Sequence, residues 1–500
     1  VVDRDPERLR VARLTHEDDS DARALERLGY AQLLVRRVGG FASFAISFSI
    51  ISILTGVMTT YGAALNGGGP VALGIGWPIV CAGTMLVALA MAELASAFPT
   101  AGALYHWSAL LGGPGWGWLT AMMNLVGQVA IVAAIDLGCA QFLVATLGWS
   151  PSSTLIVFTM ILISHGVLNA ISVRAVAWLN DFSAVVHIVG VLVIVLALLF
   201  IGKSQSLSFA VKTGFSTRPD GNDVLGFMNA LVLGMWTFTG FDASAHVSEE
   251  THDAARKAPR GIVSAVLVSA IAGYALVIAL TLAIRDLPAA AADSSPPLYV
   301  MKTALGDRAG SAAMGLAILA MWFCGLSSVT SASRMIFAFA RDGGIPASQL
   351  LSHVHPSLKT PVIAIGAAVV LPEMLVLATS RFSDAVFLAV ASLATTGLYV
   401  SYAIPILLGA LARKRGAWKK LGPWNLGSKG VAVAFAASVW SLFVLIVCSL
   451  PPNTTAGLLL FGVVVTIVIL YFVLAKNKFR GPEVTLASFE NVSRKTNDPA

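Results

Sequence analysis

The chain has 500 residues, of which 57% are hydrophobic and only 12% charged, against about 25% charged in a typical soluble chain. With a mean hydropathy of +0.80, it cannot cover itself with polar surface, so lipid is the solvent for most of it; soluble enzymes, collagens and disordered chains are excluded. The excess of 33 Lys and Arg over 26 Asp and Glu, a net charge of +7, points to nucleic acid only if the topology leaves it unexplained.

Residues 1–39 carry both charges, and within them 17–30 (EDDSDARALERLGY) reads as a short amphipathic helix, with an N-cap cluster ahead of Leu25 and Leu28. About twelve apolar runs follow, each near the roughly 20 residues that a helix needs to cross a bilayer. They span 40–63, 73–97, 116–146, 154–172, 182–202, 224–248, 261–284, 310–339, 361–379, 384–411, 430–450 and 456–475. The runs are long and continuous rather than alternating with period two, which excludes a barrel. The expectation is an all-α polytopic membrane protein.

Twelve spans put both termini on one side. With that side cytoplasmic, 26 of the 33 Lys and Arg fall in inside segments, a strong positive-inside bias. The basic excess is then a topology device facing anionic lipid, and no nucleic acid is called for. The predicted location is the cell membrane. The four cysteines, Cys81, Cys139, Cys324 and Cys448, lie in separate apolar runs with no CxxC and no metal spacing.

Ionisable residues inside spans are costly and point to function. They include Asp136 in span 3, Asp181 and His187 in span 5, Asp242 and His246 in span 6 and Glu373 in span 9. Asp242 stands out because of its neighbours. Span 1 holds Thr55-Gly56-Val57 behind Ser49 and Ser52, and span 6 holds Trp236-Thr237-Phe238-Thr239-Gly240 ahead of Asp242. A Thr-Gly pair thus recurs five spans apart, where inverted-repeat transporters place their discontinuous helices.

Two longer motifs close spans 2 and 8: Glu93-Leu-Ala-Ser-Ala-Phe-Pro99-Thr-Ala-Gly102-Ala-Leu-Tyr105 and Arg334-Met-Ile-Phe-Ala-Phe-Ala-Arg341-Asp342-Gly343. With the Glu249-Glu250 pair and the Trp236 to Asp242 segment, the chain resembles the amino acid–polyamine–organocation permease superfamily. Leu28-Gly29-Tyr30 and the serine-rich start of span 1 resemble its amino acid/choline branch, which includes permeases for γ-aminobutyric acid (GABA). The resemblance implies a five-plus-five inverted repeat of the leucine-transporter type, with helices 1 and 6 discontinuous. Residues 40–202 would form one repeat and 203–411 the other, with 412–475 as spans 11 and 12 and 476–500 as a cytoplasmic tail. Glu93, Glu249, Glu250, Arg334, Arg341 and Asp342 are candidates for a cytoplasmic gate.

A zwitterionic substrate needs partners for both ends. Freed N–H groups around Thr55, Gly56 and Val57 suit a carboxylate at a half-helix N-terminus, with Ser49 and Ser52 as further hydroxyls. Freed carbonyls of span 6 near Trp236–Gly240 suit an ammonium, helped by the faces of Trp236 and Phe238. Asp242, His246 and Glu250 recur at four-residue intervals, which stacks them on one face of an intact helix, either as a proton relay or as a gate ladder. Gln128 is a pocket candidate from span 3, and Asp136 is expected nearer the outer mouth.

No GxxxxGK[ST] occurs, so energy is expected from an ion gradient or from exchange. Sodium sites of the resembled fold use span 8 hydroxyls, which Ser327, Ser328 and Ser331 would supply. Proton-coupled relatives instead carry a span 5 lysine, and His187 lies in the matching span. The leading expectation is a secondary transporter of a small amino acid such as GABA, proton-coupled or working by exchange, with no cofactor and no metal. A choline or polyamine carrier leaning on Asp136 and Asp242 is the alternative within transport, and a non-transporting sensor the alternative outside it.

Overall fold

A computed structural model describes residues 21–34, 36–217, 221–380, 386–451, 454–482 and 484–495. Among them the only β feature is a bridge between Val38 and Thr251, and eleven helices are long and apolar enough to cross a membrane. The expected sixth span accounts for the difference, because its helical part Asp223–Thr237 is too short to cross.

In chain order, the first span is two helices, α1 (Gly40–Ile51) and α2 (Ile53–Gly74). Next come α3 (Gly76–Ala97), a short α4 (Ala103–Gly112), α5 (Pro114–Leu147), α6 (Thr154–Ile171) and α7 (Val173–Ala197). The sixth span is α8 (Asp223–Ala230), α9 (Val232–Thr237) and α10 (Ala243–His246), the last followed by a 3-10 turn at Ser248–Glu250. Then follow α11 (Ala254–Ala283), α12 (Asp307–Arg341), α13 (Val362–Thr379), α14 (Val386–Lys414), α15 (Gly430–Val447) and α16 (Thr454–Leu470). Local chemistry sets several ends. Pro114 occupies the first turn of α5, where its missing N–H costs nothing, and Gly148 ends that helix at φ 68° in the left-handed region. The N-terminal segment is helical over 21–27, shorter than the run expected from 17, and residues 17–20 lie outside the described residues.

Packing sorts the spans into two bodies. In one, α11 packs on α3 and α1, α9 packs on α2 and α3, and α8 packs along α2. In the other, α5, α6, α12 and α13 pack on one another. Helix α7 leans on α1, α11 and α12, so it touches both bodies, while α14 joins α5 to α15 and reaches α9. The discontinuous first and sixth spans share one body, and the unbroken third, fourth, eighth and ninth form the other.

The apolar load is distributed as a membrane requires. Residues facing the bodies are buried, while the outward faces of α6, α7 and α16 expose Ile156, Met160, Ile163, Leu192 and Leu458. No water interface is stable beside such faces; lipid is.

Candidate functional site

The break in span 1 lies at Ser52, where φ is 31° and ψ 79°. A non-glycine residue in the left-handed region costs about 1–2 kcal/mol, and its own hydroxyl offsets part of this as the N-cap of α2, accepting from the Thr55 N–H at 3.3 Å. The expected break at Thr55-Gly56 therefore moves one turn back. Gly56 is helical, its N–H donates to the Ser52 carbonyl at 2.9 Å, and Val57 is fully buried in the core. The N–H groups left without an intrahelical acceptor are those of Ile53 and Leu54, not those of Thr55 to Val57. Serine decides the position because it can both interrupt and cap; glycine only interrupts.

Gly56 has another use. A Cβ there would overlap the Thr237 hydroxyl, so its bareness lets α2 and α9 touch. The break in span 6 runs from Phe238 to Asp242, between α9 and α10. Gly240 sits in it at φ 81°, its N–H donating to the Tyr402 hydroxyl at 3.1 Å. A side chain at Gly240 would overlap Ile50 at the end of α1. The two breaks thus face each other at close quarters.

Between them lies a cavity of about 10 Å³, lined from α1 and α2 by Ile50, Ile51, Thr55 and Gly56 and from span 6 by Trp236, Thr237 and Thr239. Ile131 and Ile135 of α5 and Cys324 of α12 complete the wall, so both bodies contribute. The space holds about one water. None of these side chains carries a charge. The Thr237 and Thr239 hydroxyls donate to the carbonyls of Leu233 and Trp236 at 2.6 and 2.8 Å, and the Cys324 thiol donates to the Ile50 carbonyl at 3.2 Å.

A larger cavity of about 500 Å³ lies beside the later turns of α2, lined by Thr59, Asn66, Gln141, Asp293 and Phe387 among others. One side-chain layer separates the two spaces. Trp236 walls the small cavity, donates its indole N–H to Thr59 at 3.3 Å, and meets the Phe387 ring edge-on at 6.2 Å. Phe238, expected beside it, is instead buried in the core with its ring 5.2 Å from Trp77.

The N-terminal face is closed far more thickly. Glu249 forms a two-point pair with Arg341 at 2.9 and 3.0 Å and also accepts the Ala101 N–H at 3.0 Å. Glu250 pairs with buried Arg334 at 2.6 Å. Asp342 accepts from Tyr30 at 2.7 Å and from Tyr105, and the Arg341 guanidinium lies 4.0 Å over the Tyr30 ring. Burial raises the Asp342 carboxyl, opposed by Arg341 and by the two tyrosine hydroxyls. Glu93 does not join this cluster. It pairs with Arg413 at 2.5 Å and accepts the Leu426 N–H at 3.0 Å, tying α3 to the end of α14.

Asp242 is fully buried and held by three partners: Tyr402 at 2.8 Å, His246 at 3.1 Å and Gln128 at 3.5 Å. Gln128 thus meets Asp242 behind the cavity rather than lining it. The expected stripe of Asp242, His246 and Glu250 is interrupted because α10 stops at His246. His246 turns its other ring nitrogen to the Ala101 carbonyl at 3.1 Å, and Glu250 goes to Arg334. His246 and Glu249 instead meet at one residue, His246 at the Ala101 carbonyl and Glu249 at the Ala101 N–H.

His187 is buried against the break itself. Its Nε2 is 2.8 Å from the Ser52 hydroxyl, and its Nδ1 is 2.8 Å from the Ser183 carbonyl. Ser52 continues to the Thr55 hydroxyl at 2.6 Å, and Ser49 bonds to Ser183 at 2.7 Å. On α12, Ser327 donates to Asn180 at 2.7 Å and Ser328 to the Cys324 carbonyl at 2.9 Å, while the buried Ser331 hydroxyl has no protein partner. Asp136, expected near the outer mouth, is fully buried and 3.1 Å from His165. Sequence reasoning missed Tyr402, Asn180 and His165: His165 bore the same signal as His187, an ionisable residue inside a span, whereas Tyr402 and Asn180 are uncharged and their partners come from other spans.

This architecture, two broken helices around a small uncharged cavity, defines a membrane transporter. The family model described as amino acid permease matches residues 38–476. The chain is 36% identical over 464 residues to the amino-acid permease BAT1 of Arabidopsis thaliana, covering 87% of this chain and 89% of that one. It is 36% identical to the rice homologue over 463 residues, covering 87% and 88%. The GABA-specific permease of Saccharomyces cerevisiae is 28% identical over 460 residues, covering 86% and 79%. The chain belongs to the amino acid permease family, within the amino acid–polyamine–organocation superfamily: it is an amino acid transporter, not an enzyme.

Proposed function

We propose that the chain carries a small amino acid of zero net charge, such as GABA, across the cell membrane by alternating access. Its termini would lie in the cytoplasm, with the vestibule of about 500 Å³ outside. The observation that carries the substrate reading is the charge-free cavity between the two breaks. With no ionised side chain in the wall, a carboxylate relies on the donors at Ile53 and Leu54 where α2 begins. An ammonium relies on the remaining lone pairs of the α9 carbonyls and on the Trp236 face. Such a site favours a solute whose charges cancel. It disfavours choline and polyamines, because both aspartates they would need stand behind the wall with partners of their own.

The two packed bodies support a five-plus-five arrangement in which one rocks against the other. The conformation described is then sealed at the cytoplasmic gate and parted from the vestibule by the Trp236 layer alone. Proton coupling is supported by His187. Neutral, with Nδ1–H donating to the Ser183 carbonyl, its Nε2 accepts from Ser52; protonated, it donates to Ser52, and the hydroxyl chain to Thr55 reverses. A proton on His187 is thereby felt at the break.

Uptake into proteoliposomes, with proton, sodium and potassium gradients imposed separately, tests both halves. GABA or neutral amino acids should enter, driven by an inward proton gradient. His187→Ala should exchange substrate yet lose the pH dependence. Competition by choline as strong as by GABA would overturn the substrate reading, and strict sodium dependence would remove His187 from the mechanism.

A further inference from the structure

Two fully buried Asp–His pairs, Asp242–His246 and Asp136–His165, have no part in the mechanism proposed above, and of the two only the second has side-chain atoms without a protein partner. Asp136 of α5 and His165 of α6 are both fully buried, with Oδ2 and Nδ1 3.1 Å apart. The remaining atoms of the pair, Asp136 Oδ1 and His165 Nε2, are buried without a protein partner. With Nδ1–H donating to the carboxylate, both of these atoms are acceptors, and the pair is one proton short of neutral. That net charge sits where the surroundings solvate it least.

The position gives the pair a target. Ile135 and Cys324 both line the central cavity, and the next residues along their helices are Asp136 and Gly325. The pair therefore stands directly behind the cavity wall. Gly325 has no side chain because a Cβ there would overlap Asp136 Oδ1 and press on the His165 ring. The ring also packs 5.0 Å from Trp322. One turn along α6, Asn169 donates to the Leu326 carbonyl at 3.2 Å and accepts from Thr330 at 2.6 Å. Helix α12 is thus seated on α6 at two successive turns, and the upper seat is the charged pair. Cys139 and Cys324 are the titratable side chains facing Asp136 from α5 and α12. Glu373 of α13 is held by Thr159, nearly two turns away along α6, and Tyr402 of α14 by Asp242.

From this geometry we infer that Asp136 and His165 form a proton-binding site separate from His187, whose occupancy is read by the central cavity through Ile135 and Cys324. Loaded, with the proton on Nε2 or Oδ1, the pair is neutral and α12 seats firmly against α5 and α6. Empty, it leaves one negative charge buried between the helices, which loosens the seat of α12 against α5 and α6. The coupling to substrate rests on the transport reading above; the proton binding does not.

Two measurements test it separately. Infrared difference spectra of the purified full chain, taken without substrate between about pH 5 and about pH 9, should contain carboxyl or imidazole bands that vanish in Asp136→Asn and in His165→Gln but persist in His187→Gln. Identical spectra for wild type and both pair variants would overturn the site. In proteoliposomes, Asp136→Asn and the double variant Asp136→Asn/His165→Gln should keep substrate exchange within about threefold of wild type. The wild-type pH dependence of net uptake should flatten in both. A wild-type pH profile in variants that still exchange would overturn the coupling. Absence of amino acid flux in the wild type would count against the transport reading alone, since the infrared result stands without it.

Discussion

Glu249→Gln probes the gate with little change in shape, because the amide oxygen can still accept the Ala101 N–H. What it removes is the charge opposite Arg341, whose side chain is 14% exposed while that of Glu249 is fully buried. Breaking a buried pair from one side costs about 3–5 kcal/mol. Arg341 keeps Asp342 nearby and the Tyr30 ring beneath it, which places the cost at the low end, about 3 kcal/mol. At about 1.4 kcal/mol per tenfold, the balance between closed and open cytoplasmic gates should move about 100-fold toward open. Cys324 supplies a native reporter, since its buried thiol lines the central cavity. In vesicles exposing the N-terminal face, an impermeant maleimide should modify Cys324, read by peptide mass spectrometry, up to about 100-fold faster in Glu249→Gln than in wild type. Bound substrate should slow the reaction. Glu373→Gln removes a carboxylate far from the gate, on α13 beside Thr159, and should leave the rate alone. An unchanged rate in folded Glu249→Gln, or an equal rise in Glu373→Gln, would refute the gate.

Gly56→Leu and Gly240→Leu should each abolish substrate-induced thermal stabilisation while eluting as monodisperse protein, since the first drives into Thr237 and the second into Ile50; retained binding in both would place the substrate elsewhere. Trp236→Phe should keep partial uptake, because a ring still covers the cavity, whereas Trp236→Ala should lose nearly all of it; equal wild-type rates would assign Trp236 to packing. Acid should loosen the N-terminal face through His106, which burial pushes from 6.5 down to about 3, with Arg341 adding to the shift. A depressed histidine contributes stability that is fully present above 6.5 and lost as pH falls toward the folded value, at up to about 1.36 kcal/mol per unit. The melting temperature should therefore decline less between about pH 6.5 and about pH 4 in His106→Gln than in wild type, and parallel declines would dismiss His106 as the cause.

Composition and the length of the apolar runs determined by themselves that the chain is a helical membrane protein, because a bilayer admits few alternatives and every crossing shows as a run. The paired weak points in spans 1 and 6 were legible too, since Gly and hydroxyl residues at mid-membrane depth lower helix propensity. Which residue breaks span 1 was not legible. Ser52 takes that place over Gly56 because His187, Thr55 and its own capping bond hold its hydroxyl, and Gly56 is committed to contact with Thr237. The fate of the charges was likewise decided only in three dimensions. Asp136, Asp242, Glu93 and Glu250 each carry the same local signal, a carboxylate in or beside an apolar run. Their partners His165, Tyr402, Arg413 and Arg334 lie from 29 to 320 residues away. A buried charge must be paired, but the sequence states only that a partner is needed; packing of the helices determines which one arrives.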